Sequence, residues 1–269
     1  MYDPQQDPAL FALTALIAPA ALAGTVLLAA RKLRAKAEIG LFGALAFALA
    51  YPLGHRASLA EWPAWNPASA NEALLWTGVI AAAGAALAAR LPRAAAFGAL
   101  AVAAAFATWL TLRRLFEHES TAQVASIVLV ASCLAAQVAL SFDALADRAR
   151  GVTAPLLLWL TTSTAALLIA LSGSIICAQF AGSLAAILGA AITVAFLRRD
   201  TSFARGLCAA VVLQLVSLCV SAVYLGEFSR YAALLVIAAP SAALCVPNSM
   251  APRKKFLLRC GAVLVPLAS

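Results

Sequence analysis

PLLLWLTTSTAALLIALSGSIICAQFAGSLAAILGAAITVAFL, residues 155–197, contains no Asp, Glu, Lys, Arg or His. One crossing of a hydrocarbon core of about 30 Å takes roughly 20 apolar residues, so 43 uncharged residues are enough for two. Hydroxyls, glycines and an amide (Ser172, Gly173, Ser174, Gln179, Gly182, Ser183) interrupt the run near its middle. The stretch is therefore expected to be a tight helical hairpin reversing around Ser172–Ser183, with spans near 155–174 and 179–197. Inside hydrocarbon a chain must satisfy its own backbone hydrogen bonds, which leaves helices or closed barrels. Barrel strands alternate apolar and polar residues over about 10 positions, and no such alternation is present here. The fold class follows: all-α, a polytopic transmembrane helix bundle.

Working outward, further apolar runs fall near 8–30, 37–53, 73–89, 94–112, 121–142, 206–225 and 231–246. A last run, 256–267, is short and carries Arg259 and Pro266, so it reads as a partial or interfacial segment as readily as a tenth crossing. About ten spans are expected in one transmembrane helical domain covering residues 1–269, with no soluble domain. The composition agrees, at 64% hydrophobic, 11% charged and a mean hydropathy of +0.96. Soluble chains average about 45–50% apolar and 25% charged.

The net charge of +8 belongs to loops. Arg31, Lys32, Arg34, Lys36, Arg90, Arg93, Arg148, Arg150, Arg198, Arg199, Arg205, Arg253, Lys254, Lys255 and Arg259 occupy alternate connections. The intervening ones hold only Arg56, Arg113, Arg114 and Arg230, together with Asp3, Asp7, Glu61, Glu72, Glu117, Glu119 and Glu227. Basic residues near span ends stay in the cytoplasm, so the basic connections are expected inside and the acidic ones outside. No nucleic-acid partner is expected; the basic balance is a topology signal. Residues 1–10 carry Asp3 and Asp7 but no Lys or Arg, unlike the basic start of a secretory leader, so the amino terminus is expected outside on a retained span.

An ionisable group at mid-membrane usually marks a proton or ion path. Every Asp and Glu here lies in a loop or near a span end, which disfavours proton-coupled antiport and pumping. The polar residues within spans are neutral. Thr161, Thr162, Ser172, Ser174, Gln179 and Gln214 are the candidate lining of a path for a neutral solute, and hydrogen bonding between helices is the plain alternative for them and for Ser126, Ser132, Gln137, Ser217 and Ser221. Small residues four apart, as in Ala178-Gly182-Ala186-Ala190, Ala181-Ala185-Gly189 and Gly78-Ala82-Ala86, allow close helix approach. Pro19 and Pro240 sit mid-span, where each removes one helical hydrogen bond. Six cysteines, none in a CxxC, read as small apolar packing residues.

Chemistry concentrates at the outer side. His55, Arg56, Glu61, Trp62, Trp65, Arg113, Arg114, Glu117 and His118 form the candidate outer-face site. Two imidazoles there suit haem or copper, with acids nearby to orient them, although no metal or cofactor is expected outright and the chain leans away from being an enzyme. Tyr2, Tyr51, Trp62, Trp65, Trp76, Trp109, Tyr224 and Tyr231 also map outside, where an aromatic belt anchors spans.

The segments Tyr51-Pro-Leu-Gly-His55 leading to Glu61-Trp-Pro-Ala-Trp65, and Leu171-Ser-Gly-Ser174 leading to Ala178-Gln-Phe-Ala-Gly-Ser-Leu-Ala-Ala186, resemble an uncharacterised family of bacterial multi-pass membrane proteins. The resemblance implies the bacterial inner membrane and no known activity. The expected partners are the lipid bilayer and other membrane proteins. Three roles are expected in order: permease-like handling of a small neutral or weakly polar solute; a non-catalytic subunit or assembly factor binding partners through small-residue faces; and an outer-face haem, metal or enzymatic site using His55 and His118.

Overall fold

The structure, a computed structural model, describes residues 8–30, 36–59, 67, 69–113, 119–148, 152–198, 204–242 and 258–262. These form α1 (Pro8–Ala29), α2 (Lys36–Leu59), α3 (Ala70–Ala88), α4 (Arg93–Leu112), α5 (Thr121–Arg148), α6 (Thr153–Leu171), α7 (Ile175–Arg198), α8 (Ala204–Leu225) and α9 (Arg230–Ala242). A short tenth helix covers 258–262, and no strand occurs among the described residues. Among the described residues, six helices are long and apolar enough to cross a membrane: α3 to α7 and α8 from Gly206. The chain is thus a multi-pass helical membrane protein. The described apolar part of α1, Ala15–Ala29, is shorter, and so is that of α9, Arg230–Ala239.

The hairpin turns earlier than its composition suggests. α6 ends in a glycine cap: Gly173 takes φ +86°, its N–H meets the Ala170 carbonyl at 3.0 Å, and the Ser174 N–H reaches back to the Ile169 carbonyl at 3.2 Å. This pair of bonds satisfies carbonyls that a helix end leaves open, and it places glycine where a side chain would be strained. α7 then starts at Ile175 and runs unbroken past Gln179 and Ser183. Those two polar residues are helical, not part of the turn.

α8 is the axis of the bundle. Within its membrane-length window 94% lies inside the protein, against 33% for α5. It packs against α2 to α7 and α9, whereas α1 lies outside, on α2 and α7. The surrounding helices sort residues by size. On α4, Ala96, Ala103, Ala104 and Ala107 face in while Val102, Phe106 and Trp109 face out. Lipid is as apolar as a protein core, so close packing of small residues supplies the association that hydrophobicity cannot.

The small-residue spacings are occupied within the chain. A Cβ added at Gly182 would lie 3.4 Å from Leu16, one at Gly24 would lie 3.8 Å from Ala190, and one at Gly189 would lie 3.7 Å from the Trp159 indole nitrogen. One stripe of α7 therefore meets α1, and Gly189 faces α6.

Pro19 shows how the bundle handles a missing bond. Proline has no N–H to give the carbonyl four residues earlier, that of Ala15. Ser183, buried on α7, places its hydroxyl 3.1 Å from that carbonyl and also 3.1 Å from the Gln179 carbonyl. Gly54 of α2 makes room for it, because a Cβ there would fall 2.5 Å from Ser183 Oγ. Ser183→Ala should cost about 1 kcal/mol, the worth of one buried hydrogen bond, measured as stability to SDS unfolding. Combining it with Pro19→Ala should restore most of that loss, since α1 then closes its own bond. Equal losses with and without Pro19 would sink this account.

Candidate functional site

Three contacts gather one end of the bundle. His55 of α2 bonds the backbone of Asn71 at the start of α3, Arg113 at the end of α4 donates to the Pro67 carbonyl, and Gly226 after α8 packs against Ser174 before α7. Ser69 caps α3, accepting from the Glu72 N–H at 3.2 Å while its hydroxyl lies 3.3 Å from the Glu72 carboxylate. The spacing Ser69-Ala70-Asn71-Glu72 is that of a capping box, which fixes where α3 begins and so where Asn71 presents its carbonyl.

From this end a line of rings descends between α2 and α7. His55 lies flat on Phe180, centroids 4.8 Å apart at 4°. Tyr51 approaches the same Phe180 at 6.4 Å and 59°, and Phe47 stacks on Tyr51 at 5.3 Å and 11°. Phe47, Tyr51 and His55 are spaced four apart, which puts them on one face of α2. All four rings are buried.

Gln214 joins this line at Tyr51. Its Nε2 donates to the Tyr51 hydroxyl at 2.7 Å and to the Leu74 carbonyl at 3.0 Å, while the Thr77 hydroxyl donates to its Oε1 at 2.9 Å. A carbonyl can only accept, so the Leu74 contact fixes which end of the amide is nitrogen. Every capacity of the carboxamide but one lone pair is thereby engaged, and α2, α3 and α8 are tied at one point. Ser217 and Ser221 continue up the same side of α8 at i+3 and i+7, both buried. The Ser217 hydroxyl bonds its own helix at the Leu213 carbonyl, and Ser221 lies 3.9 Å from the Cys177 thiol.

Two groups keep free capacity. The His55 Nε2 must donate to the Asn71 carbonyl at 2.9 Å, which leaves Nδ1 as a buried acceptor with no partner among the described residues. The Tyr51 oxygen accepts from Gln214, and no acceptor for its own proton occurs among the described residues. Acceptor and donor thus lie one helical turn apart, with the Phe180 ring against both.

The sequence-named residues divide sharply. Gln214 bonds Tyr51 in the middle of this line, and His55 heads it, fully buried within the protein. Its burial follows from α2 continuing through Pro52 to Leu59, six residues beyond the expected span end. Arg56 is half-buried on the same turn. Glu61, Trp62, Trp65, Arg114, Glu117 and His118 lie outside the described residues. Thr161 and Thr162 bond back to the Leu157 and Leu158 carbonyls of α6, at 2.9 and 3.0 Å, and Ser172 bonds Ile169 at 2.8 Å. Ser174 precedes α7, and Gln179 is half-buried on its first turns. These five do not join Gln214 by any hydrogen bond.

Tyr51, Thr77 and Phe180 complete the line without having been singled out as site residues. Tyr51 reads as a belt anchor in the sequence, yet only 1% of it is exposed. Tyr231, 82% exposed, and Trp109, at 42%, have the exposure an anchor needs. A signal for the centre was present in Gln214-Ser217-Ser221, whose spacing lines one face of a helix. Among the described residues no group of three or more His, Cys, Asp or Glu is placed to hold a metal ion. No protein-family model, curated protein or solved structure matches the chain, so the resemblance extends no further than a multi-pass helical membrane protein.

Proposed function

We propose that this chain is a permease-like protein of the bacterial inner membrane that admits a small neutral or weakly polar solute from its acidic, outward face, with the amino terminus also outside. The observation that carries the reading is the pair of free capacities, Nδ1 of His55 and the hydroxyl of Tyr51, both beside Phe180 and next to a nearly saturated Gln214. A solute bearing both a donor and an acceptor complements that pair, whereas a charged one would meet no countercharge along the rings. Phe180 is then the barrier the solute must pass, and the polar stripe of α8 runs alongside the approach to it.

The test is stopped-flow swelling of proteoliposomes challenged with a panel of small uncharged solutes such as glycerol, urea and short amides. Tyr51→Phe keeps the ring and removes only the hydroxyl, and it should slow entry of the accepted solute about tenfold, the effect of losing one to two kcal/mol of hydrogen bonding. Phe180→Ala should instead raise entry and broaden selectivity. Swelling no faster than in empty vesicles for every solute would eliminate the permease reading.

A second reading has its own support. The near-saturation of Gln214 is what a purely structural lock requires, and it favours a non-catalytic subunit of a membrane complex. Such a subunit would have to use a surface other than the small-residue stripes packed inside the bundle. Isolation of a stoichiometric partner together with silent proteoliposomes would favour it.

A further inference from the structure

Hydroxyls on the lipid-facing surfaces are bonded to their own helices. Thr25 reaches the Ala21 carbonyl at 2.7 Å, Ser126 the Gln123 carbonyl at 2.7 Å and Thr193 the Gly189 carbonyl at 3.0 Å. A hydroxyl has one proton, and one backbone carbonyl satisfies it. Gln137 differs. It is exposed on α5, about 5 Å along the axis from the middle of the Thr121–Ala146 span at 1.5 Å per residue. Its carboxamide offers two N–H donors and an acceptor, and no partner for them occurs among the described residues. In hydrocarbon, a group with such needs is paired.

Its surroundings indicate with what. Gln123, Ser126, Val130, Cys133 and Gln137 are all exposed, and their spacing alternates three and four. That is the 3.5-residue repeat of a left-handed helix pair, running along the helix with the largest exposed share among the six spans.

We propose that α5 is the interface of a homodimer, in which a second copy of this chain packs in parallel along the stripe and the two Gln137 carboxamides bond each other. A carboxamide is donor and acceptor at once, so it is its own complement across a twofold axis, whereas a different protein would have to supply a matching amide at the same depth. Two copies inserted by the same charge rule share one orientation, which makes the parallel pairing the accessible one. The axis runs along the membrane normal through the stripe, so each seam residue meets its own equivalent. Cys133, one turn from Gln137 and free, then faces Cys133 of the partner subunit.

The test uses the full chain in mild detergent and in lipid vesicles. Copper-phenanthroline oxidation, in which two thiols lose two electrons and two protons to the reagent, should give a covalent dimer on a non-reducing gel. Cys133→Ser should abolish it. In sedimentation equilibrium the wild-type chain should be dimeric, Gln137→Leu should weaken association roughly tenfold, and Gln137→Asn should retain it to within about threefold. Because residue 137 faces outward, the melting temperature of Gln137→Leu reports whether the protomer is intact, and it should not fall. A wild-type monomer at all concentrations would overturn the proposal. So would a dimer that is indifferent to Gln137→Leu and still crosslinks without Cys133, or a stoichiometric foreign chain on α5 with no dimer.

Discussion

Gln214→Ala should lower the stability of the bundle by about 3–4 kcal/mol, measured by reversible unfolding in mixed micelles followed by circular dichroism. Truncating a large buried side chain to alanine costs about 2–5 kcal/mol in lost contacts and residual cavity. The position is fully enclosed on the most buried helix, with few ways to collapse. The polar share is smaller than the bond count suggests. Thr77 retains the Leu74 carbonyl at 2.9 Å as an alternative acceptor, so its hydroxyl is not orphaned. Only the Tyr51 hydroxyl loses its donor. Hydrogen bonds between membrane helices average about 0.6 kcal/mol, because the dispersed helices find other partners. Gln214→Met, which keeps volume and removes the bonds, should therefore cost only about 1–2 kcal/mol. Equal losses for the two variants would mean that hydrogen bonding, not packing, dominates the centre.

Gly78→Val should be nearly as severe, at about 3 kcal/mol, for the opposite reason. A Cβ at Gly78 would sit 2.5 Å from Tyr51 Cδ1 and 2.7 Å from Cε1. The ring has nowhere to go, since Phe47 stacks against it and Gln214 holds its hydroxyl. Overpacking of this kind costs about 1–3 kcal/mol, and the tie to Gln214 places it at the upper end. Removing the ring should relieve the clash. Gly78→Val with Tyr51→Ala is expected to be less destabilised than the sum of the two single changes by at least about 1 kcal/mol. Simple additivity would show that α2 and α3 do not meet at these residues.

The two variants probe one crossing point, and they differ in how far the sequence exposes it. Gly78 belongs to a small-residue spacing visible in the primary structure, and the close approach it permits is found there. The partner is another matter: nothing in the sequence says that Tyr51, in a belt-like position beside a proline, is what fills the space. The burial of His55 is hidden in the sequence for a related reason. Hydropathy falls after Leu53, so a span drawn by apolarity ends there, whereas the helix continues to Leu59, its His55 turn packed against α3 and α7. At the hairpin, Gly173 alone makes the turn, and the downstream Gln179 and Ser183 serve helix contacts that composition cannot distinguish from loop polarity.

What the sequence by itself determined is the all-α class, the long uncharged hairpin and the gathering of charged residues into the connections between apolar runs. These follow from local requirements: each segment in hydrocarbon must close its own backbone bonds, and each connection carries its own charges. Which face of each helix turns inward was decided only by the tertiary structure. In water that choice is written in polarity, but here both the core and the lipid are apolar, so the faces differ in side-chain size and in the few hydrogen bonds that reach across, such as Tyr51 to Gln214 and Ser183 to the Ala15 carbonyl. Those pairings join residues more than a hundred positions apart, and only the packed bundle brings them together.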